Sequence, residues 1–193
     1  RLMQVCRMRK TPVMVFINKM DREGKDPFDL MDEVENELGI HVRPLSWPIN
    51  SGQRFKGVYN IFQSTLDLYT PNKTQVTESI RFEDVSDPQI ADLVGDADAL
   101  KLQEDLEMIE GVYNPFSQEE YLAGELAPVF FGSALNTFGV KELLECFVQI
   151  APSPRPVEAI ERKVEPMEDG FTAFCFKIHA NMDPSHRSCI SFF

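Results

Sequence analysis

The sequence predicts an α/β protein in which a parallel sheet carries a large insertion and is followed by the start of an all-β unit. Two short apolar runs, at residues 13–17 and 128–131, each precede a polar loop and then a helical pattern, as in parallel sheets with crossover helices. About 110 residues separate the two loops, which is too many for a structureless connection. Three prolines within residues 152–156 then indicate a domain boundary.

The first strand and the helix after it have clear local signals. The continuous apolar run at residues 13–17 is typical of a parallel strand buried on both faces. Asp26 can cap the start of a helix, Pro27 suits its first turn, and Gly39 suits its end. We therefore expect a strand, a loop and a helix over residues 13–39.

The insertion is predicted at about residues 41–127 and has α+β character. Short runs separated by Gly, Asn and Pro predict strands, and later stretches with a period of three to four predict helices. Ser117 and Glu120 have the spacing of a capping box. The strands are expected at residues 45–49, 57–62, 65–69 and 76–82, and the helices after Asp87, around residues 99–109 and after Ser117.

Three parts of the chain follow from these patterns. Residues 1–151 form the C-terminal part of the first domain with its insertion, and residues 152–170 form a linker. Residues 171–193 begin an incomplete β-barrel domain, with strands near 171–178 and 187–193 joined by a turn at 180–184. Both ends read as cuts within longer elements, so we expect truncation at each end.

Charge is concentrated in one segment. Residues 83–126, the acidic segment, hold 13 acidic residues and one basic residue, whereas the rest of the chain is neutral. Either these acids form a solvated helical face, or they dock a basic patch of a partner protein, for which Glu104, Glu107 and Glu110 are the candidates. RNA would be repelled by them. No apolar run approaches the ~18–20 residues of a membrane span, and the Cys and His residues lack metal-ligand spacing.

The residues that carry chemistry are Asn18-Lys19-Met20-Asp21, directly after the first apolar run. In open α/β sheets, ligands bind at the carboxyl ends of the strands. Guanine presents two adjacent donors, which Asp21 can accept as a bidentate pair, whereas adenine lacks that pair. Lys19 can lay its alkyl stem over the base, and Asn18 can hold the loop shape. The alternative is an ordinary strand-to-helix turn with a capping Asp.

The second loop candidate is Gly132-Ser133-Ala134-Leu135, after the second apolar run. A small residue here lets the backbone N–H of Ala134 approach the guanine carbonyl oxygen, while the Ser133 hydroxyl can brace the loop. The tripeptide alone is a weak signal. Its order after Asn18–Asp21, with a strand before and a helix after each loop, favours a guanine site formed by Asn18, Lys19, Asp21, Ser133, Ala134 and Leu135.

The motifs that hold phosphates are not found in these 193 residues at the places where a GTP-binding domain has them, and no D-x-x-G motif stands in the expected place. No G-x-x-x-x-G-K-[ST] sequence occurs, so the groups that position phosphates, Mg²⁺ and the attacking water are missing. We expect no catalytic residue and no metal ligand in this chain, and no GTP hydrolysis by the chain alone.

The two loops with their strands, together with three other stretches of the chain, resemble the bacterial peptide chain release factor 3 family of translational GTPases, which is related to elongation factor G. The fold implied is the C-terminal half of a P-loop GTPase-type sheet followed by β-barrel domains. The resemblance covers nearly the whole chain and is most specific in the form of residues 132–139 and in the last stretch. The matching stretches are residues 11–24, 47–49, 55–59, 128–136 and 180–187.

The resemblance implies a function for the full-length parent. That parent is expected to bind GTP or GDP with Mg²⁺, to hydrolyse GTP, and to drive class-one release factors off the ribosome in translation termination. It is expected to be cytoplasmic and monomeric, without a membrane partner, and related factors suggest the ribosomal stalk protein as a partner of the acidic insertion. The alternative is a module without a nucleotide role, which acts through that insertion.

Overall fold

The computed structural model describes residues 2–69, 79–180 and 188–193. The chain divides into two units, Arg1–Ala151 and Pro152–Phe193. The helices of the first unit are α1 (Leu2–Arg9), α2 (Pro27–Leu38), α3 (Pro88–Val94), α4 (Asp96–Val112), α5 (Gln118–Ala123) and α6 (Val140–Ile150). Its strands are β1 (Val15–Ile17), β2 (His41–Pro44), β3 (Ser46–Ile49), β4 (Gly57–Asn60), β5 (Thr65–Leu68), β6 (Ile80–Arg81) and β7 (Leu126–Phe131).

A parallel sheet in the order β1-β7-β2 forms the centre of the first unit. All six residues of the middle strand, β7, are buried because it has a neighbour on each side and a hydrophobic core on each face. The predicted mixed α/β fold with a parallel sheet is confirmed. The expectation that residues 13–17 are buried on both faces is wrong, because β1 starts at Val15, lies at the edge of the described sheet and is only half-buried.

The helix predicted after β1 is α2, and its ends form as the sequence indicates. The Asp26 carboxylate accepts a hydrogen bond from the Phe28 N–H at 2.9 Å. Gly39 has φ +61° and donates its N–H to the Glu35 carbonyl at 2.7 Å, which closes the last turn. In α5, the Ser117 hydroxyl accepts from the Glu120 N–H at 3.3 Å.

The insertion consists of an antiparallel sheet in the order β3-β4-β5-β6, followed by α3, α4 and α5. Its start differs from the prediction, because residues 41–44 form β2 and pair with β7 in the parallel sheet. The insertion therefore begins after β2. Part of the strand predicted at residues 76–82 lies outside the described residues, and the described part, β6, holds only Ile80–Arg81.

Two hydrophobic cores cover opposite faces of β7, because successive side chains of a strand point to opposite sides. Val129 and Phe131 join a core with Met31 of α2 and with Trp47 of the insertion. On the other face, Phe130 packs in a core with Leu45, Tyr121, Cys146 and Ile150. Much of the insertion, including Trp47 and the buried residues of α3 and α4, thus shares the core on the α2 face, whereas Tyr121 of α5 packs on the opposite face.

The second unit contains short antiparallel pairs. Its strands are β8 (Val157–Glu158), β9 (Lys163–Val164), β10 (Lys177–Ala180) and β11 (Cys189–Phe192). Strands β8 and β9 pair within the predicted linker, and β10 pairs with β11. Residues 171–176, predicted as strand, are not in a strand, and most of the turn predicted at 180–184 lies outside the described residues. The β-barrel stays a prediction.

No helix in the described part of the chain has both the length and the apolar character needed to cross a bilayer.

Candidate functional site

The two candidate loops lie side by side at one edge of the parallel sheet. We call residues 18–21 the first loop and residues 132–135 the second loop. Because β1 and β7 are adjacent and parallel, their carboxyl ends meet at the same edge. The Gly132 N–H donates to the Ile17 carbonyl at 3.0 Å, and the Met20 N–H donates to the Gly132 carbonyl at 3.0 Å. The backbone therefore joins the loops directly.

Asn18 adds a side-chain link between the loops. Its amide oxygen accepts from the Ala134 N–H at 2.9 Å and from the Lys19 N–H at 2.8 Å. These bonds span 116 residues in one case and one residue in the other, so a single side chain fixes both the local turn and the distance between the loops. The first of these bonds occupies the Ala134 N–H, which the sequence predicted to donate to the carbonyl oxygen of a bound guanine.

Lys19 and Asp21 remain available to a ligand. Lys19 is exposed and has φ +69°, a left-handed conformation that is uncommon for a residue with a side chain. Asp21 is half-buried, and its carboxylate forms no hydrogen bond or ion pair with any residue in ranges 2–69, 79–180 and 188–193. A half-buried carboxylate without a protein donor is suited to accept hydrogen bonds from a bound molecule.

The second loop is closed by its own backbone and by Ser133. The Ser133 N–H and carbonyl each bond to Phe138, both at 3.0 Å, and the buried Ser133 hydroxyl accepts from the Asn136 side chain at 2.8 Å. A Cβ on Gly132 would lie 2.3 Å from the Phe138 carbonyl oxygen, so only glycine fits this close approach. Leu135 is 85% exposed, so its side chain is free of the core.

Two residues of the insertion are coupled to the first loop and were not predicted from the sequence, Gly52 by a hydrogen bond and Tyr69 by charge. Gly52 donates its N–H to the Met20 carbonyl at 2.9 Å. Burial raises the pKa of the Tyr69 phenol, and the nearby Asp21 charge raises it further. Gly52 reads as an ordinary turn glycine and Tyr69 as a strand residue, so no local signal in the sequence relates either residue to a loop more than 30 residues away.

The acidic segment is a mixture of engaged and free carboxylates on α4. Glu110 pairs with the buried Arg43, Asp98 pairs with Lys56 at 2.5 Å, and Asp105 accepts from the Trp47 indole N–H at 2.9 Å. By contrast, Glu104 and Glu107 are exposed and form no ion pair or hydrogen bond in the described part of the chain. Of these five residues, only Glu104 and Glu107 can therefore contact a partner without breaking internal contacts.

A metal centre is not formed by the described residues. In residues 2–69, 79–180 and 188–193, no group of three or more His, Cys, Asp or Glu is arranged to hold a metal ion.

Comparison with known proteins gives the same picture of the fold. The family model of the elongation factor Tu GTP-binding domain matches residues 1–153, which include both loops and the insertion. A crystal structure of a protein from Thermus thermophilus matches 78% of this chain with 21% identity and a TM-score of 0.51. The chain spans 24% of that protein's length. At this identity, the structural likeness concerns the fold.

The family match covers most of the chain and includes the two adjoining loops at the sheet edge. It confirms the sequence resemblance at the level of the translational GTPases. The chain belongs to the elongation factor Tu GTP-binding domain family.

Proposed function

We propose that this chain is the guanine-reading part of a ribosome-associated translational GTPase of the release factor 3 type, which recycles class-one release factors after termination. Membership of a GTP-binding family supports the nucleotide. The observation that carries the proposal is the bond from the Ala134 N–H to Asn18, which joins the two loops beside the free Asp21 carboxylate. The release factor assignment rests on the residue resemblance.

In this proposal, Asp21 is the residue that distinguishes guanine from adenine. Its two carboxylate oxygens accept from the ring N–H and the exocyclic amine of guanine. Adenine would leave the carboxylate without those donors, at a cost of roughly 1–3 kcal/mol or more for a charged group. A site built around such a hydrogen bond rejects the analogue that cannot make it.

The other five residues orient the base. Lys19 extends its alkyl stem over one face of guanine while its ammonium stays in water. In this structure the Ala134 N–H donates to the Asn18 side chain. When guanine binds, this N–H donates to the guanine carbonyl oxygen, either in a bond shared with Asn18 or in place of the bond to Asn18. The Ser133 hydroxyl stabilises the second loop by accepting a hydrogen bond from the Asn136 side chain, and the exposed Leu135 lies beside the base.

The chain supplies base recognition without the phosphate contacts. Bound GTP supplies the phosphoanhydride whose hydrolysis drives the cycle, and the Mg²⁺ that accompanies it would be held in the full-length parent outside the described residues. We therefore expect the 193-residue chain to bind guanine nucleotides weakly and not to hydrolyse GTP. From the resemblance we expect the parent to be a cytoplasmic monomer without a membrane partner.

The experiment exchanges the hydrogen-bond pattern at Asp21. The binding protein is this chain preceded by a phosphate-binding half-domain, which we call the extended protein. Asp21→Asn should weaken GDP binding about 100-fold, because two charge-assisted bonds are lost, and should shift preference to xanthosine diphosphate, which offers an acceptor in place of the amine. Calorimetry with GDP, ADP and xanthosine diphosphate measures this shift.

The matched control is Asp29→Asn, which neutralises an exposed carboxylate on α2. It should leave all three affinities unchanged. Equal losses for every nucleotide after Asp21→Asn would contradict base reading. That result would favour the alternative, a module without a nucleotide role that acts through its acidic insertion.

The acidic insertion supports a second element of the proposal, a docking surface for a basic patch on the ribosomal stalk. Its free carboxylates would attract such a patch and accelerate encounter. Glu104, Glu107 and Glu110 are the candidates on sequence, but reversal of Glu110 would also leave the buried Arg43 without its partner. The informative variant is therefore the double change Glu104→Lys and Glu107→Lys.

In the extended protein, this double variant should slow ribosome association about threefold to tenfold at low salt, and less at about 0.5 M salt, where charges are screened. Stopped-flow association measures the rate. The control, Asp29→Lys with Glu37→Lys on α2, changes the net charge by the same amount outside the acidic segment. Equal slowing by both variants would indicate a general charge effect and contradict a docking site.

A further inference from the structure

The insertion packs directly on the first loop. The Gly52 N–H donates to the Met20 carbonyl at 2.9 Å, while the Met20 N–H bonds to Gly132. Gly52 has φ +63°, and a Cβ there would lie 2.7 Å from the Glu23 side chain and 3.2 Å from the Glu23 backbone nitrogen. The turn of 3-10 helix at Gly52–Arg54 is therefore in tight contact with the chain that follows Asp21.

An aromatic cluster joins the insertion to the second loop as well. It consists of Phe55, Tyr69 and Phe138, which we call the aromatic triangle. The ring centroids are 5.0 Å apart for Phe55 and Tyr69, 5.5 Å for Tyr69 and Phe138, and 5.6 Å for Phe55 and Phe138. Phe138 is the residue whose backbone closes the second loop onto Ser133.

Tyr69 is the member of the triangle that lies near the base-reading carboxylate. Its N–H donates to the Lys56 carbonyl at 2.8 Å, which fixes its backbone beside the turn that follows Gly52–Arg54. Its side chain is half-buried, and the Asp21 charge adds to the effect of burial in raising the pKa of its phenol. One side chain therefore contacts both partners of the triangle, and its backbone is bonded beside the turn whose Gly52 donates to the first loop.

We propose that Tyr69 is a positioning residue for the guanine site: through the aromatic triangle it holds the second loop against the insertion, and through the bond from the Met20 N–H to Gly132 it thereby holds the first loop, which carries Asp21. The inference rests on the proposed function for its ligand. It assigns the insertion a role in base recognition, in addition to any docking role of its acidic helices.

This role predicts which ligand discrimination depends on Tyr69. A well-placed Asp21 gains from both guanine donors, whereas hypoxanthine, the base of inosine, offers only the ring N–H. Loss of positioning therefore costs the two-donor ligand more than the one-donor ligand. A residue with only a structural role would lower both affinities by the same factor.

The first measurement uses the 193-residue chain without any nucleotide. Tyr69→Ala removes two ring contacts and should speed amide hydrogen exchange at Met20, Gly52 and Ala134 about tenfold. Tyr69→Phe keeps the ring and should leave these rates near the parent values. The matched control is Phe116→Ala, which removes a half-buried ring that contacts Phe62 and Tyr121 on the opposite face of the sheet. It should leave exchange at the loops unchanged.

The second measurement compares GDP with inosine diphosphate in the extended protein. Tyr69→Ala should reduce the ratio of the two affinities about threefold to tenfold, and Phe116→Ala should preserve it. Unchanged loop exchange in Tyr69→Ala, or an unchanged affinity ratio, would overturn the positioning role. Failure of the proposed function is a separate result, because Asp21→Asn would then leave nucleotide preference unaltered even if Tyr69→Ala loosened the loops.

Discussion

The two loops at the sheet edge and the acidic helices of the insertion differ in how their side chains are held. In the loops, Asn18 and Ser133 each form specific hydrogen bonds, and Gly132 leaves no space for a Cβ. On α4, Glu104 and Glu107 extend from an exposed helix face without partners in the described part of the chain. Binding at the loops therefore depends on the positions of individual atoms, whereas binding at the exposed face of α4 depends on the total charge of that face.

The largest difference between the regions is expected from the same substitution made in each. Gly132→Ala should lower the free energy of unfolding by about 3 kcal/mol, because the new Cβ would lie 2.3 Å from the Phe138 carbonyl and 2.8 Å from the Phe16 ring. Gly111→Ala on α4 meets nothing within 4 Å and should stabilise the chain by about 0.5–1 kcal/mol through helix propensity. Urea unfolding measures both.

Similar stability for the two alanine variants would contradict the comparison. It would mean that the second loop can shift to admit a methyl group without loss. In that case the close approach of Gly132 to Phe138 would not restrict the site, and the second loop would not be rigid.

A smaller effect is expected from the side chain that links the loops. Asn18→Ala removes the acceptor of the Ala134 and Lys19 N–H groups and should cost about 1 kcal/mol of stability, since the site is exposed. In the extended protein it should weaken GDP about tenfold. Asn36→Ala, which removes a bond within α2, is the control and should change neither quantity by more than about 0.5 kcal/mol. Equal effects would show that the link is not needed.

Local signals predicted the parts of the fold that depend on neighbouring residues. The ends of α2 follow from Asp26, Pro27 and Gly39, which act within one or two turns of their own helix. The order of the two strands also indicated that the loops would meet, because parallel neighbours share their carboxyl edge. These features needed no information about distant contacts.

Contacts between distant residues could not be predicted in the same way. Strand β2 was missed because His41–Pro44 is short and contains a proline, and its partner β7 begins more than 80 residues later. The link from Gly52 to Met20 and the position of Tyr69 near Asp21 depend on how the insertion packs on the sheet. The sequence likewise predicted a free surface acid at Glu110, whereas the structure pairs Glu110 with the buried Arg43.

The smallest effect is expected where the insertion meets α6. Asp67 of β5 and Glu142 of α6 are both buried, and Glu142 Oε2 lacks a hydrogen-bond partner among the described residues. Burial raises the pKa of each carboxyl above its ordinary value, and the Asp67 charge further raises the pKa of Glu142. The folded state therefore favours the neutral acids.

The sign of the pH dependence follows from that preference. A carboxyl whose pKa is raised on folding favours the folded state below its unfolded pKa, near 4.5 for Glu142, and loses that contribution as pH rises through the folded pKa. Glu142→Gln removes the cost of ionising a buried group, so the variant should unfold at a higher temperature than the parent at about pH 7 and at a similar temperature at about pH 4. Glu119→Gln, on the exposed face of α5, should show no such difference. A constant gap between Glu142→Gln and the parent across this range would mean that the pKa of Glu142 is the same in the folded and unfolded states, and the junction would then be no more sensitive to charge than the open face of α4.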